Sequence, residues 1–512
     1  MKRFALISVY DKVGIVDFAK VLVKQGYSII ATDGTYQELT RHGIKVVPIE
    51  EITGNPGDSF DGRMKTISFQ IESGILFDRK NPKHVKEAQN LRIPKIDIVV
   101  CNPYPFEQKP GVENIDVGGP TMIRAAAKNY QNVVVLVDPT DYEKARSATK
   151  DQNLRKQLAA KAFYHLSLYD SQIGQFFSER DLPAGRQEFP QELTIPLRKM
   201  KDLRYGENPH QKGALYFLPK TNSPIAKLKH LWGRELSGTN TGDIFTGIET
   251  LRQFEEIAAV VIKHLSPCGI ATGRNAEEAL DRALKADPVS AFGGVMVLNK
   301  KMDEAAAKVI ATYKFEKEGN VDVVAVPSIT KDALELLKKV RKSMGIYTFG
   351  EIPSTRTEKY DLKYFAGGML LQDFDDNIEA SFKNWKIVTK AKPTKKQIEQ
   401  MKFALKCVKS VRSNAVLVVD KEIPMTRGIG SGQTSRIGAT KIALEQAGSF
   451  AKKGILVSDS FFPFDDSVKL AGQYGISAIL QQGGSVNDKQ SIEAAEELGI
   501  AMVFSGRRAF RH

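Results

Sequence analysis

Residues 4–35 read FALISVYDKVGIVDFAKVLVKQGYSIIATDGT. Phe4 to Val9 is an apolar run of strand length. From Lys12 to Lys24, Val13, Ile15, Val16, Phe18, Ala19, Val21, Leu22 and Val23 recur at helical spacing, and Ser28 to Ala31 is a second apolar run. Strand, helix and strand in so short a stretch predict a parallel βαβ unit. The alternation continues outward. It predicts a helix over Tyr36 to Arg41, a strand over Lys45 to Pro48 and a buried strand over Ile96 to Cys101. A helix over Thr121 to Lys128 and a strand over Val133 to Val137 follow. The fold class is therefore α/β with a parallel sheet. In such sheets ligands sit beyond the carboxyl ends of the strands. That singles out Tyr10-Asp11-Lys12, Thr32-Asp33-Gly34-Thr35 and Asn102-Pro103-Tyr104.

Pro183, Gly185, Pro190 and Pro196 punctuate a polar stretch over 178–200. A boundary is expected there, giving domains over 1–195 and 196–512. The second is long enough for two subdomains of alternating strands and helices, and no repeat of fixed short period is visible. Of the 512 residues 42% are hydrophobic and 26% charged, which excludes a disordered chain. No apolar run approaches the roughly 18–20 residues that span a bilayer. The opening residues turn polar too soon for a signal peptide. Cys101, Cys268 and Cys407 form no Cys-x-x-Cys pair, so a reducing, cytoplasmic setting is expected. The net charge of +14 invites a nucleic-acid reading. The lysines are spread along the chain, however, without a basic arm or an aromatic-interleaved stripe. Small anionic substrates explain the surplus, with no nucleic acid and no membrane as partners.

In the first domain Thr32-Asp33-Gly34-Thr35 joins a strand to a helix. A tight turn is the plain explanation; the functional one is a phosphate held at a helix N-terminus. Asp116-Val117-Gly118-Gly119-Pro120-Thr121 opens a helix with proline in its first turn, and Arg124 and Lys128 share one face of it. Here a capped, solvated helix competes with an anion site that has a carboxylate at its mouth. Gly62-Arg63-Met64-Lys65-Thr66 adds two cations in a loop.

In the second domain Leu203-Arg204-Tyr205-Gly206-Glu207-Asn208-Pro209-His210-Gln211 is an irregular loop, the kind of segment that carries binding groups. The strand Ala258 to Ile262 ends in Lys263-His264-Leu265-Ser266-Pro267-Cys268-Gly269. A histidine beside a lysine at a strand end suits proton transfer; an exposed pair at a turn is the bland alternative. Pro267-Cys268 matches the start of the zinc-deaminase signature, which needs Pro-Cys-x-x-Cys. Ala271 stands where the second cysteine belongs and Cys407 is distant, so no zinc is expected on what remains a possible deaminase-like scaffold. Gly428-Ile429-Gly430-Ser431-Gly432-Gln433 fits neither the dinucleotide fingerprint nor the Walker loop. Ser458 to Asp466 clusters aromatics with acids and offers a stacking surface.

In this order the motifs resemble the family that joins phosphoribosylaminoimidazolecarboxamide formyltransferase to IMP cyclohydrolase in purine biosynthesis. The first domain carries Ser8-Val9-Tyr10-Asp11-Lys12, Gly62 to Thr66, Cys101 to Phe106, Ile115 to Gly119 and Arg124 to Asn129. The second carries Arg204 to Gln211, Lys263-His264, Asp287-Pro288-Val289-Ser290-Ala291-Phe292-Gly293-Gly294, Ser413-Asn414, Ser460 to Asp466 and Arg508-x-Phe-x-His.

The resemblance implies a methylglyoxal-synthase-like cyclohydrolase domain followed by a cytidine-deaminase-like formyltransferase domain of two subdomains. It implies N10-formyltetrahydrofolate as co-substrate and a homodimer. For formyl transfer it places His264 as proton acceptor and Lys263 beside it. Arg204, Tyr205, Asn208, Asn414, Arg436 and Arg508 fall on the nucleotide, and Phe461 and Asp466 on the folate. For ring closure it implies Lys65, Tyr104, Asp116 and Lys128, with Lys12, Thr32, Gly34, Thr35, Arg63 and Thr66 on the phosphate. The chain departs from the family at Ser68 and Glu72, where histidines are usual, at Pro103, and at Asp33, whose charge repels phosphate. The alternatives are a formyltransferase whose first domain is a regulatory or structural nucleotide-binding module, and a basic RNA-binding protein on a borrowed scaffold.

Overall fold

The computed structural model describes residues 1–56, 59–180, 189–358 and 360–512. Pro183 and Gly185, which helped mark the seam, lie outside the described residues. The chain divides into two compact units: Met1–Arg198 with Leu218–Lys220, and Lys199–Phe217 with Thr221–His512. Among the described residues no helix is long and apolar enough to cross a membrane.

The first unit is built on strands β1 (Arg3–Val9), β2 (Ser28–Ala31), β3 (Val46–Pro48), β4 (Lys95–Asn102) and β5 (Val134–Leu136), in the order β3-β2-β1-β4-β5, all parallel. Alternate residues of β1 enter opposite cores. Ala5, Ile7 and Val9 pack with Ile15, Phe18 and Leu22, while Leu6 packs with Ile71, Met122 and Ile123. A strand covered on both faces reads as one continuous apolar run, which is why β1 and β4 stand out in the sequence. The chain steps outward from β1 to β3 and then returns across it to β4. The topological switch therefore lies between the carboxyl ends of β1 and β4.

Two predicted helices start earlier than their periodicity shows. Asp33–Arg41 takes in Asp33, Gly34 and Thr35, because the extended Thr32 hands its carbonyl to the amides of Thr35 (2.9 Å) and Tyr36 (2.7 Å). Gly118–Lys128 begins three residues before Thr121. Helices Phe69–Leu76, Pro82–Asn90 and Gln152–Arg180 are additional to the predicted set.

The second unit contains two six-stranded sheets of one plan. The first runs Ser266–Thr272, Ala258–Lys263, Gly294–Leu298, Val321–Val326, Gly345–Thr348, Lys229–Trp232. The second runs Thr426–Gly430, Val416–Val419, Ile455–Ser458, Ala478–Gln481, Ala501–Phe504, Lys386–Ile387. In each, an antiparallel hairpin meets a third strand antiparallel, two parallel strands follow, and an antiparallel strand closes the far edge. This duplication spans whole subdomains, so it is invisible as a short sequence period. The outer hairpin strands meet through an Ala271–Met425 bridge and an Ile270 amide bond to the Thr426 hydroxyl at 3.0 Å. One apolar cluster serves both halves, joining Ile244, Ile248 and Val260 to Met401, Leu417 and Val503.

Candidate active sites

The first site gathers at the switch point of the parallel sheet. Asn102 Oδ1, at the end of β4, accepts the amides of Tyr10 (2.7 Å) and Asp11 (2.9 Å), which ties the loop after β1 to the end of β4. Tyr104 stands edge-on to Tyr10, ring centroids 4.5 Å apart. The Lys12 ammonium donates to the Val9 carbonyl at 2.8 Å and lies over Gly34; partial burial lowers its pKa. The buried Thr35 hydroxyl is tied to both backbone groups of Val9, and Thr32 donates to Ser8 Oγ at 3.0 Å. The first turn of helix Asp33–Arg41 thus faces Lys12, the arrangement that favours an anion.

Lys65 reaches this turn and pairs with Asp33, holding that carboxyl below the usual range. The charge read from sequence as repelling phosphate is neutralised from within. Thr66 lies against Gly118, where a Cβ would come within 2.0 Å of its hydroxyl. Two residues before that helix, Asp116 Oδ1 accepts the Gly119 amide at 2.9 Å, and its own amide donates to the Tyr169 hydroxyl at 2.8 Å. Burial raises the Asp116 carboxyl, against the amides of Gly119 and Gly118. Residue 119 must be glycine for this contact, since a Cβ would sit 2.3 Å from Asp116 Oδ2.

Lys128 is exposed on the last turn of its helix, about 15 Å along the axis from Gly118 at the ordinary helical rise. Arg63 points its guanidinium at Glu113, 2.7 Å to each carboxylate oxygen. The family-departing residues have local roles. Ser68 caps helix Phe69–Leu76 through the Ile71 amide, and Glu72 enters a mainly apolar cavity of about 320 Å3 beside Phe69, Leu76 and His84.

The second site lies in the second unit around a cavity of about 410 Å3 lined by Lys263, His264, Cys268, Asp287, Ser431 and Gln446. His264 and Leu265 form the two-residue turn between paired Lys263 and Ser266. The Lys263 ammonium donates to the Phe292 carbonyl at 2.8 Å, inside the Asp287–Gly294 loop. Burial pushes the Cys268 thiol up to about 12, which keeps it a neutral wall of the cavity. Both subdomains contribute. Ser266 and Ser431 hydroxyls are 3.3 Å apart, and Gln446 donates to Asp287 at 2.5 Å while accepting the Ile429 amide at 2.6 Å.

The loop after Leu203 leans on helix Gly238–Leu251, whose Gly238 amide donates to the Tyr205 carbonyl at 2.9 Å. Arg204 lies over the Tyr205 ring and donates to its hydroxyl at 2.8 Å; Asn208 is held by Gln211 at 3.0 Å. Around the second sheet, Asn414 donates to the Gln433 carbonyl at 2.8 Å. Arg508 is exposed and stacks on Phe510, with Arg436 on the same ring more distantly. Arg436 itself is buried and paired with the fully buried Asp459. A buried cation requires such a partner. Phe461 is half-buried, Phe462 fully buried and Phe464 exposed, and Asp466 opens helix Asp466–Gln473. Sequence reading missed Gln446 and Asp243. Asp243 is buried and accepts the Leu265 amide at 2.7 Å; it stands in a helix whose local sequence carries no catalytic pattern. Among the described residues no group of three or more His, Cys, Asp or Glu is placed to hold a metal ion.

Fold and geometry together describe an α/β protein with two candidate sites, one at a parallel-sheet switch point and one between the subdomains of the second unit. Comparison with known families agrees. Residues 14–131 match the MGS-like domain and residues 126–446 match the AICARFT/IMPCHase bienzyme. The bifunctional purine biosynthesis protein PurH of Thermoanaerobacter sp. (strain X514) is 44% identical, and those of Acetivibrio thermocellus and Halalkalibacterium halodurans are each 42% identical. In all three, 100% of this chain and of the relative is covered. The chain belongs to the AICARFT/IMPCHase bienzyme family. It is a bifunctional enzyme of purine biosynthesis, a formyltransferase acting on 5-aminoimidazole-4-carboxamide ribonucleotide and an IMP cyclohydrolase.

Proposed function

We propose that ring closure belongs to residues 1–195 and formyl transfer to residues 196–512, with N10-formyltetrahydrofolate as donor, in a cytoplasmic homodimer. The separation of a Lys65–Asp33 and Asp116 cluster in one unit from a Lys263–His264 cavity in the other carries this reading.

In formyl transfer the substrate's exocyclic amine attacks the formyl carbon. Its nitrogen is conjugated to a carboxamide and is a poor nucleophile, so alignment and proton removal dominate the barrier. His264 takes the amine proton as the new C–N bond forms and the bond to the folate nitrogen breaks; the proton passes to that nitrogen. Lys263 supports the oxyanion of the tetrahedral intermediate. Arg204, Tyr205, Asn208, Asn414, Arg436 and Arg508 hold the nucleotide. Phe461 and Asp466 hold the pterin.

In ring closure the carboxamide nitrogen attacks the formyl carbon of the same molecule, and the formyl oxygen leaves as water. Asp116, its carboxyl raised by burial, handles the protons with Tyr104. Lys65 stabilises the oxyanion, and Lys12, Thr32, Gly34, Thr35, Arg63 and Thr66 bind the phosphate. Lys128 supplies a second positive charge for the same step. Lys65→Ala is expected to slow closure of supplied formylated nucleotide by about 100-fold and to leave formyl transfer within twofold. Closure at the wild-type rate removes Lys65 from the mechanism.

A further inference from the structure

We propose that Asp243 is a positioning residue for formyl transfer, fixing the turn that aims His264 into the cavity. The proposal rests on the assignment of proton removal to His264.

The turn is an unfavourable one for its sequence. His264 and Leu265 both have positive φ, 54° and 61°. Two consecutive residues of that sign between paired strand ends are the pattern of a type I′ hairpin, which favours Asn-Gly. Neither a histidine nor a leucine supplies that preference, so the surroundings must hold the backbone there. Helix Gly238–Leu251 does so at two adjacent positions. Asp243, 4% exposed, accepts the Leu265 amide at 2.7 Å, and the His264 amide also faces its carboxyl. Gly242 provides the seat for the Leu265 side chain, since a Cβ there would lie 2.6 Å from Leu265 Cδ2. On the other side Lys263 is anchored to Phe292. The same helix supports the Arg204–Gln211 loop through Gly238. One rigid element therefore sets both the proton acceptor and a nucleotide-binding loop, and Asp243 is its contact with the acceptor. A turn released by removal of Asp243 relaxes and carries the imidazole off line, and a displacement near 1 Å costs about 100-fold in rate.

The test compares Asp243→Ala, Asp243→Asn, Asp243→Ala/Leu265→Gly and His264→Ala in the full chain. Formyl-transfer kcat and nucleotide KM are read separately, and thermal melting confirms folding. Asp243→Ala is expected to lose about 30- to 100-fold in kcat with KM within threefold. Asn keeps an acceptor oxygen and should retain at least about a third of kcat. Glycine at 265 accepts positive φ unaided, so the double variant should recover at least about fivefold over Asp243→Ala. Wild-type kcat in Asp243→Ala, with His264→Ala inactive, overturns the positioning role alone. Loss in Asp243→Asn as deep as in Asp243→Ala also overturns it, because charge and not the turn would then matter. An Asp243→Ala protein that fails to fold leaves the Asn variant to decide on the same criterion. If His264→Ala keeps full formyl transfer, the underlying assignment fails and the proposal with it.

Discussion

Burial holds the Glu72 carboxyl at about 7, above its ordinary 4.5, and its Oε1 has no hydrogen-bond partner. A folded-state pKa raised in this way means that the folded protein binds the proton more tightly. The stability this lends is complete below pH 4.5 and is lost as pH rises toward 7. Discounted for partial exposure, the loss is about 1–2 kcal/mol at pH 8. Glu72→Gln should therefore raise the stability of the first unit by that amount at pH 8, with the gain shrinking toward zero near pH 4. Urea titrations at the two pH values read it, and an equal effect at both would show that burial of the charge is not the cause. Individual residues were also where sequence reading was least secure. Asp33 looked repulsive because its partner Lys65 lies 32 positions away. Nor does anything local reveal that Arg436 pairs with Asp459 in the interior.

Among the elements, helices that pack close to a strand depend on small residues. Helix Arg436–Ala447 covers strand Thr426–Gly430, and a Cβ on Gly428 would meet the Ala443 carbonyl at 1.9 Å. A backbone atom cannot step aside as a side chain can, so Gly428→Ala should cost about 2–3 kcal/mol through overpacking. A clear fall in the melting temperature of the second unit checks this; an unchanged melt would mean that helix and strand separate freely. Strands buried on both faces, such as β1 and β4, were legible as apolar runs, and so were the three loops at their carboxyl ends. Helix Gln152–Arg180 was not. Its buried stripe, Leu158, Ala159, Ala162, Leu166 and Tyr169, is narrow and is diluted by charged residues over a long polar surface. Asp33–Arg41 was cut short because its first turn, Asp-Gly-Thr, reads locally as a turn, and the Thr35–Val9 contact that fixes it comes from another element.

At the scale of the whole molecule, the division of labour between two units is the claim with most consequence. The ordered motifs made the family legible across nearly the full length. What they did not show was the strand order of the two subdomains or the buried supports behind His264. The net charge of +14 suits substrates that carry phosphate and carboxylate at both centres. His264→Ala, assayed on each half-reaction separately, tests the division most directly. Formyl transfer should fall by about 100-fold or more, while closure of supplied formylated nucleotide to IMP, followed by ultraviolet absorbance, stays at the wild-type rate. Loss of both activities together in a folded protein, or formyl transfer that survives intact, would contradict two independent centres with His264 at the second.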